Sequence, residues 1–284
     1  VGKYQVDAAI ARGAMRRLWP NVVVESERMY DPLTRAAAAL LAHGPRAAIS
    51  GPTAAPLHGC AAIESAATHV TVPYGHPSRS RDGLAVHNGP LPDEDVVVLS
   101  GLRVLSLERV VSDLLCVARP RDALAVTDQA LAAQPPEWRD ALKVALGRRL
   151  RRRADPRGTR SAARLLSLAT GRAESPAESW LLLEVVDLGF PPPEVNWSLC
   201  SPSGRELYRL DLAWPDHRVA LEYNGYAVHA GREAADQLRA DDLRRRGWIV
   251  IMASVDDLRD NRQLEQSLRQ AFASRGGRRP TLSA

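Results

Sequence analysis

Three strand-like apolar runs follow one another with almost no chain between them: VNWSLC, LYRLDLAWP and RVALEYNG, joined by SPSGRE and PDHR. Parallel neighbours need a crossover of roughly a dozen residues or more, so links this short force an antiparallel meander. Ahead of the meander, Ser175-Pro176-Ala177-Glu178 reads as a capping box. Ser stands at the N-cap, Pro at the first helical position and Glu where its carboxylate can return to the backbone. The helix it opens, AESWLLLEVVDLG, stops at Gly189, a residue suited to the left-handed end of a helix. Behind the meander, Glu233 to Arg246 reads as a helix ended by Gly247, WIVIMAS as a buried strand and Asn261 to Ser274 as an amphipathic helix. The order helix, three strands, helix, strand, helix predicts an α/β fold with one crossover strand.

The preceding half carries a looser pattern. A short helix followed by AMRRLWPNVVVES reads as helix, basic turn and strand. Ala36 to Ala42 is a helical run ended by Gly44-Pro45, and Ser50 is a plausible N-cap for the next. HVTVP, LAVHN and LRVLS read as strands, with turn chemistry in GHPSRSRDG. LERVVSDLLCVA and RDALAVTDQALAA read as helices, and a third runs from Pro135-Pro136 to about Leu150. These patterns divide the chain into 1–31, a mixed α/β segment 32–147, a basic helix and linker 148–173, and the α/β segment 174–284.

Charge is concentrated in one place. The 284 residues carry a net charge of +5. From Arg148 to Arg164 there are eight arginines and one aspartate. Arginine suits phosphate contacts, so Arg148, Arg149, Arg151, Arg152 and Arg153 are candidate nucleic-acid contacts; the alternative is a solvated helix end. Cys60, Cys116 and Cys200 are odd in number and widely spaced, which supports neither a disulfide framework nor a structural zinc site. No apolar run reaches the ~18–20 residues a bilayer requires, and no signal-peptide pattern opens the chain. The expectation is a cytoplasmic protein with no membrane partner.

The chemistry points to the meander. Asp211 lies inside RLDLAW and Glu222 inside VALEYN, and a carboxylate within a buried strand is costly unless paired or metal-bound. Strand alternation and the turn at Pro215-Asp216 make the two near neighbours on one face. Two carboxylates this close repel, and a divalent ion relieves the repulsion. Oxygen ligands alone suit Mg²⁺ or Mn²⁺. The alternative is that each pairs with an arginine, such as Arg209 or Arg218.

At these residues the chain resembles the very-short-patch-repair-like branch of the PD-(D/E)XK nuclease superfamily, common in actinobacteria. The matching residues are Glu178, LDLAWP, ALEYNG, His229 and LRADDLRRRGWIVI, spread over about Ser175 to Leu258. The resemblance implies a restriction-endonuclease-like αβββαβ core and Mg²⁺-dependent hydrolysis of DNA phosphodiesters. Asp211 and Glu222 would be the metal ligands and Glu178 a third acidic group, unless Glu178 serves only its cap. The superfamily motif ends in lysine two residues after the acidic ligand, and this branch usually has aspartate there; this chain has the neutral Asn224. Arg239, at a basic position of the branch's helix, would supply charge to the phosphate, and His229 would act as general base or phosphate donor.

The first half is similar to AbiEi-type antitoxins and regulators of actinobacteria over about residues 9–133, through AIARGAMRRLWPNVVV, AAISGPTAAPLHG and GLRVLSLERVVSDLL. The resemblance implies the last helix and wing of a winged helix ahead of a mixed α+β region. The chain begins at Val1 rather than methionine, so the earlier helices are expected upstream. Arg12, Arg16 and Arg17 would then face DNA. Two functions follow: a Mg²⁺-dependent DNA endonuclease, or a DNA-binding regulator or antitoxin with an inactive nuclease-like domain and a toxin or other protein as partner.

Overall fold

The computed structural model describes residues 2–224 and 233–276. The chain opens with α1 (Lys3–Ala11), β1 (Met15–Trp19), β2 (Val22–Glu25), α2 (Pro32–His43), β3 (Ala48–Ile49) and α3 (Gly51–Leu57). Next come β4 (Thr68–Val72), β5 (Leu84–Asn88), β6 (Val96–Leu99), β7 (Leu102–Leu105) and α4 (Leu107–Val117). Four helices follow: α5 (Pro120–Ala132), α6 (Pro136–Arg151), α7 (Thr159–Leu168) and α8 (Pro176–Asp187). The chain then forms β8 (Glu194–Cys200), β9 (Glu206–Trp214), β10 (Val219–Tyr223), α9 (Glu233–Arg245), β11 (Ile249–Ala253) and α10 (Arg262–Ser274). The class is mixed α/β, as the element pattern predicts.

Two compact units divide these elements. One takes the chain up to Ala118 together with Asp140–Ala163, and the other takes Arg119–Arg139 and everything from Arg164.

In the first unit, MRRLW is itself a strand. It pairs antiparallel with VVVE through a turn in which Asn21 adopts φ 64°, a conformation asparagine tolerates well. The expected basic turn is therefore one arm of a hairpin, and Arg16 and Arg17, adjacent on β1, point to opposite sides. A five-stranded sheet follows in the order β5-β4-β3-β7-β6. Its β3 and β6 are short strands that the sequence pattern misses. Helix α2 starts where Asp31 accepts from the Thr34 amide at 2.8 Å, with Pro32 at the first position.

The arginine-rich stretch is folded rather than a linker. Asp95, 3% exposed, accepts from Arg109 Nη1 at 2.8 Å and from Arg149. Asp113 accepts from Arg109 Nε at 2.6 Å and from Arg153. Gly158, at φ 77°, lies so near the Cys116 carbonyl that a Cβ there would sit 2.2 Å from its oxygen.

In the second unit the sheet order is β11-β10-β9-β8. Strands β8, β9 and β10 form the antiparallel meander, and β11 joins β10 in parallel after the α9 crossover. Leu210, Leu212, Val219 and Leu221 are fully buried. Phe190, Trp214 and Phe272 pack ring against ring, and Trp197 meets Trp248 at 5.3 Å between centroids. Helix α5, expected with the segment 32–147, belongs to this unit. Its buried Asp128 accepts from the Thr170 amide at 2.7 Å, the Gly171 amide at 2.8 Å and the Ser179 hydroxyl at 2.8 Å. One carboxylate thus ties α5 to the loop before α8 and to α8 itself. Gly171, at φ 65°, approaches α5 so closely that a Cβ would lie 2.6 Å from Leu131 Cβ.

Candidate functional site

The meander's register brings the acidic residues together. Trp214 faces Val219, Ala213 faces Ala220 and Leu212 faces Leu221; Asp211 and Glu222 are the next residues on the two paired strands, and one further step in the same register would set them across from each other. Cross-strand neighbours share a face. On the other side of β9, Val195 faces Leu212 and Trp197 faces Leu210, which sets Asn196 across from Asp211. Beyond β10, Glu222 faces Met252.

Glu222 is 7% exposed. Arg239, from α9, grips both its oxygens: Nη2 donates to Oε1 at 2.7 Å and Nη1 to Oε2 at 2.8 Å. This is the two-pronged guanidinium–carboxylate geometry that gives strong charge-assisted hydrogen bonds. Nη2 also donates to the Arg209 carbonyl at 2.8 Å, and the guanidinium lies 5.7 Å from the centre of the Tyr208 ring. Tyr208 in turn donates its hydroxyl to Asp242 at 3.0 Å.

Asp211 is held differently. Its Oδ2 accepts from the Tyr223 amide at 2.8 Å, and among the described residues it has no ion-pair partner. Burial pushes its pKa above the ordinary carboxyl value, with the Glu178 and Glu174 carboxylates adding to the rise. The Tyr223 amide and the Arg239 charge oppose it.

Glu178 keeps its cap and lies within electrostatic reach of Asp211. Its Oε1 accepts from the Ser175 hydroxyl at 2.8 Å. Its Oε2 accepts from the Glu174 amide and from Asn196 Nδ2, both at 2.8 Å. Asn196 also donates to the Arg172 carbonyl at 2.7 Å and adopts φ 48°. Sequence reasoning missed Asn196; its signal is a side-chain amide within the strand run VNWSLC. Asn224 is exposed just after β10, where its backbone N–H donates to the Ala253 carbonyl at 2.7 Å. His229 lies outside the described residues.

The arginine alternative is met in part, by another residue. Glu222 pairs with Arg239, whereas Arg209 pairs with Glu174 at 2.7 Å and Arg218 donates to the Arg246 carbonyl. Among the described residues, no group of three or more His, Cys, Asp or Glu is arranged to hold a metal ion. Two carboxylates suffice for Mg²⁺, which keeps several waters and completes its shell with substrate oxygens. The donor set of Asp211 and Glu222 therefore fits a hard divalent ion if Arg239 yields its place.

The basic candidates separate into two sets. Arg148, Arg151 and Arg152 are exposed and make no ion pair among the described residues. Arg149 and Arg153 are committed to Asp95 and Asp113. Arg12, Arg16 and Arg17 are exposed on the α1–β1 segment. No helix of the described residues is long and apolar enough to cross a membrane.

Fold and site define a two-unit mixed α/β protein with a carboxylate–guanidinium cluster on an antiparallel meander. The chain belongs to the family of the uncharacterized protein Rv2248 of Mycobacterium tuberculosis strain ATCC 25618 / H37Rv, to which it is 34% identical over 263 residues, covering 90% of this chain and 92% of the relative. The uncharacterized protein MT2308 of strain CDC 1551 / Oshkosh matches over the same length with the same identity. No protein-family model matches the chain.

Proposed function

We propose that the second unit is a restriction-endonuclease-like domain that cleaves DNA phosphodiesters with Mg²⁺ or Mn²⁺. The observation that carries this reading is the placement of Asp211 and Glu222 on the adjacent paired strands β9 and β10, with Asp211 half-buried and, among the described residues, without an ion-pair partner. The helix, meander, helix and parallel-strand order supports it. Asp211 and Glu222 would hold the ion, which when bound supplies an activated water and neutralises charge on the phosphate. Glu178, fixed by Ser175 and Asn196, keeps the site anionic from the helix side. Asn224 offers a neutral hydrogen bond where a charged group is usual in similar proteins. Arg148, Arg151 and Arg152 present charge for phosphate contacts outside the reacting group. The α1–β1–β2 order is compatible with the last helix and wing of a winged helix, a second DNA-contacting element.

A second reading has its own support. Neutral Asn224 and the Arg239 grip on Glu222 are what a DNA-binding regulator with a silent nuclease-like site would carry.

Supercoiled plasmid incubated with the protein and Mg²⁺ or Mn²⁺ separates the two. Nicking that disappears in Asp211→Asn and Glu222→Gln is expected. DNA binding that persists in both variants, with no nicking by the parent protein, would replace the endonuclease reading by the regulator.

A further inference from the structure

The Arg239–Glu222 pair carries an inference that rests on the metal-holding reading above. We propose that Arg239 is an exchangeable counter-ion. It holds Glu222 until a divalent cation takes the carboxylate, and the freed guanidinium then turns to a substrate phosphate.

The geometry sets the two cations in competition. Arg239 donates to both oxygens of Glu222, at 2.7 and 2.8 Å, so an ion shared with Asp211 must take an oxygen that the guanidinium already holds. Like charges a few ångströms apart in a half-buried site repel strongly. The two cations therefore compete for Glu222. Arg239 also acts at longer range on the Asp211 carboxylate, but among the described residues its close partners other than Glu222 are neutral: the Arg209 carbonyl at 2.8 Å and the face of Tyr208. Both can retain the side chain beside the site once the carboxylate is lost. The Arg239 side chain is 35% exposed while that of Glu222 is 9% exposed, so the cationic member of the pair is the one with access to solvent. Its fork of donors matches a phosphate as it matches a carboxylate. It thereby supplies the positive charge that Asn224 cannot.

A competitor that also serves catalysis has an unusual signature: removing it strengthens metal binding and weakens turnover. The experiment is calorimetric titration of Mn²⁺ into the full chain, as parent protein, Arg239→Gln, Arg239→Lys and Asp211→Asn, with plasmid nicking measured on the same samples. Arg239→Gln is expected to bind Mn²⁺ about tenfold tighter and to nick about a hundredfold more slowly. Arg239→Lys, which keeps the charge and loses the fork, is expected between the parent and Arg239→Gln in affinity, and it carries the test should the glutamine variant fold poorly. Equal or weaker Mn²⁺ binding by the Arg239 variants, with uptake still abolished by Asp211→Asn, would overturn the exchange and leave the metal-holding reading standing. Tighter binding with unchanged nicking would overturn the phosphate role. No Mn²⁺ uptake by any of the four proteins would overturn both the exchange and the reading beneath it.

Discussion

Replacing Asp128 tests whether α5 is part of the second unit's framework. Its side chain accepts hydrogen bonds from the backbone amides of Thr170 and Gly171 and from the Ser179 hydroxyl. All three lie in a region where Asp128 is 1% exposed. In Asp128→Ala these donors lose their acceptor, at ~1–3 kcal/mol for each that stays buried and unmet. The Ser179 hydroxyl can rotate to another acceptor, and losing a desolvated carboxylate offsets part of the penalty. The net expectation is a loss of ~3 kcal/mol, large beside a domain stability of ~5–15 kcal/mol. Asp128→Asn behaves differently. Its carbonyl oxygen keeps the two amides, and its NH₂ meets a Ser179 oxygen that can turn from donor to acceptor. That variant should lose only ~1 kcal/mol. Guanidinium unfolding followed by tryptophan fluorescence reads the difference, because Trp138, Trp180, Trp197, Trp214 and Trp248 all belong to the second unit. A loss below ~0.5 kcal/mol for the alanine variant would contradict the burial argument. Equal losses for both variants would contradict the assigned hydrogen-bond directions.

Four further outcomes follow from particular side chains. Asp211 binds its proton more tightly in the folded state than in the unfolded one, so its contribution is full below 3.8 and is lost as pH rises through the elevated value. Asp211→Asn should therefore gain in thermal midpoint relative to the parent as pH is raised, and a constant difference would refute the burial of the charge. His69 is held near a pKa of about 4, chiefly by burial and next by His87, to which its Nδ1 is hydrogen-bonded at 3.0 Å. Stability should fall as pH drops from 6.5 toward about 4; a His69 imidazole that titrates by NMR at the ordinary value would rule this out. Neutralising Arg148, Arg151 and Arg152 together should reduce the salt dependence of DNA binding by about two to three counterions. Arg149→Ala should instead destabilise the fold by ~1–3 kcal/mol, because it strips a partner from buried Asp95; the opposite assignment of effects would show that the two sets of arginines are misplaced.

The second unit was legible because its signals are local. Ser175, Pro176 and Glu178 set a helix start, Gly189 a stop, and the short links between the three strands left one topology. That Asp211 and Glu222 lie on adjacent antiparallel strands follows from the short turn between their two apolar runs. Arg239 was visible as a basic residue on a helix, but its grip on Glu222 was not, because that contact depends on how α9 crosses the sheet. Asn196 was missed for a related reason: a left-handed residue inside a strand has no periodic signal. The arginine-rich stretch misled through its charge. Arg149 and Arg153 look like Arg148 and Arg152 in the sequence, and only Asp95 and Asp113, some 40 to 54 residues earlier, distinguish them. The placement of α5 was hidden likewise, since Asp128 meets its partners 42 to 51 residues later in the chain.

Anomalous diffraction from a crystal of the full chain soaked in Mn²⁺ would look directly at the two carboxylates. A single strong peak bound by oxygens of both Asp211 and Glu222 is expected, with the Arg239 guanidinium withdrawn from Glu222 toward the Arg209 carbonyl and Tyr208. A site without manganese in a fully soaked crystal, with Arg239 still clasping both oxygens of Glu222, would contradict that expectation.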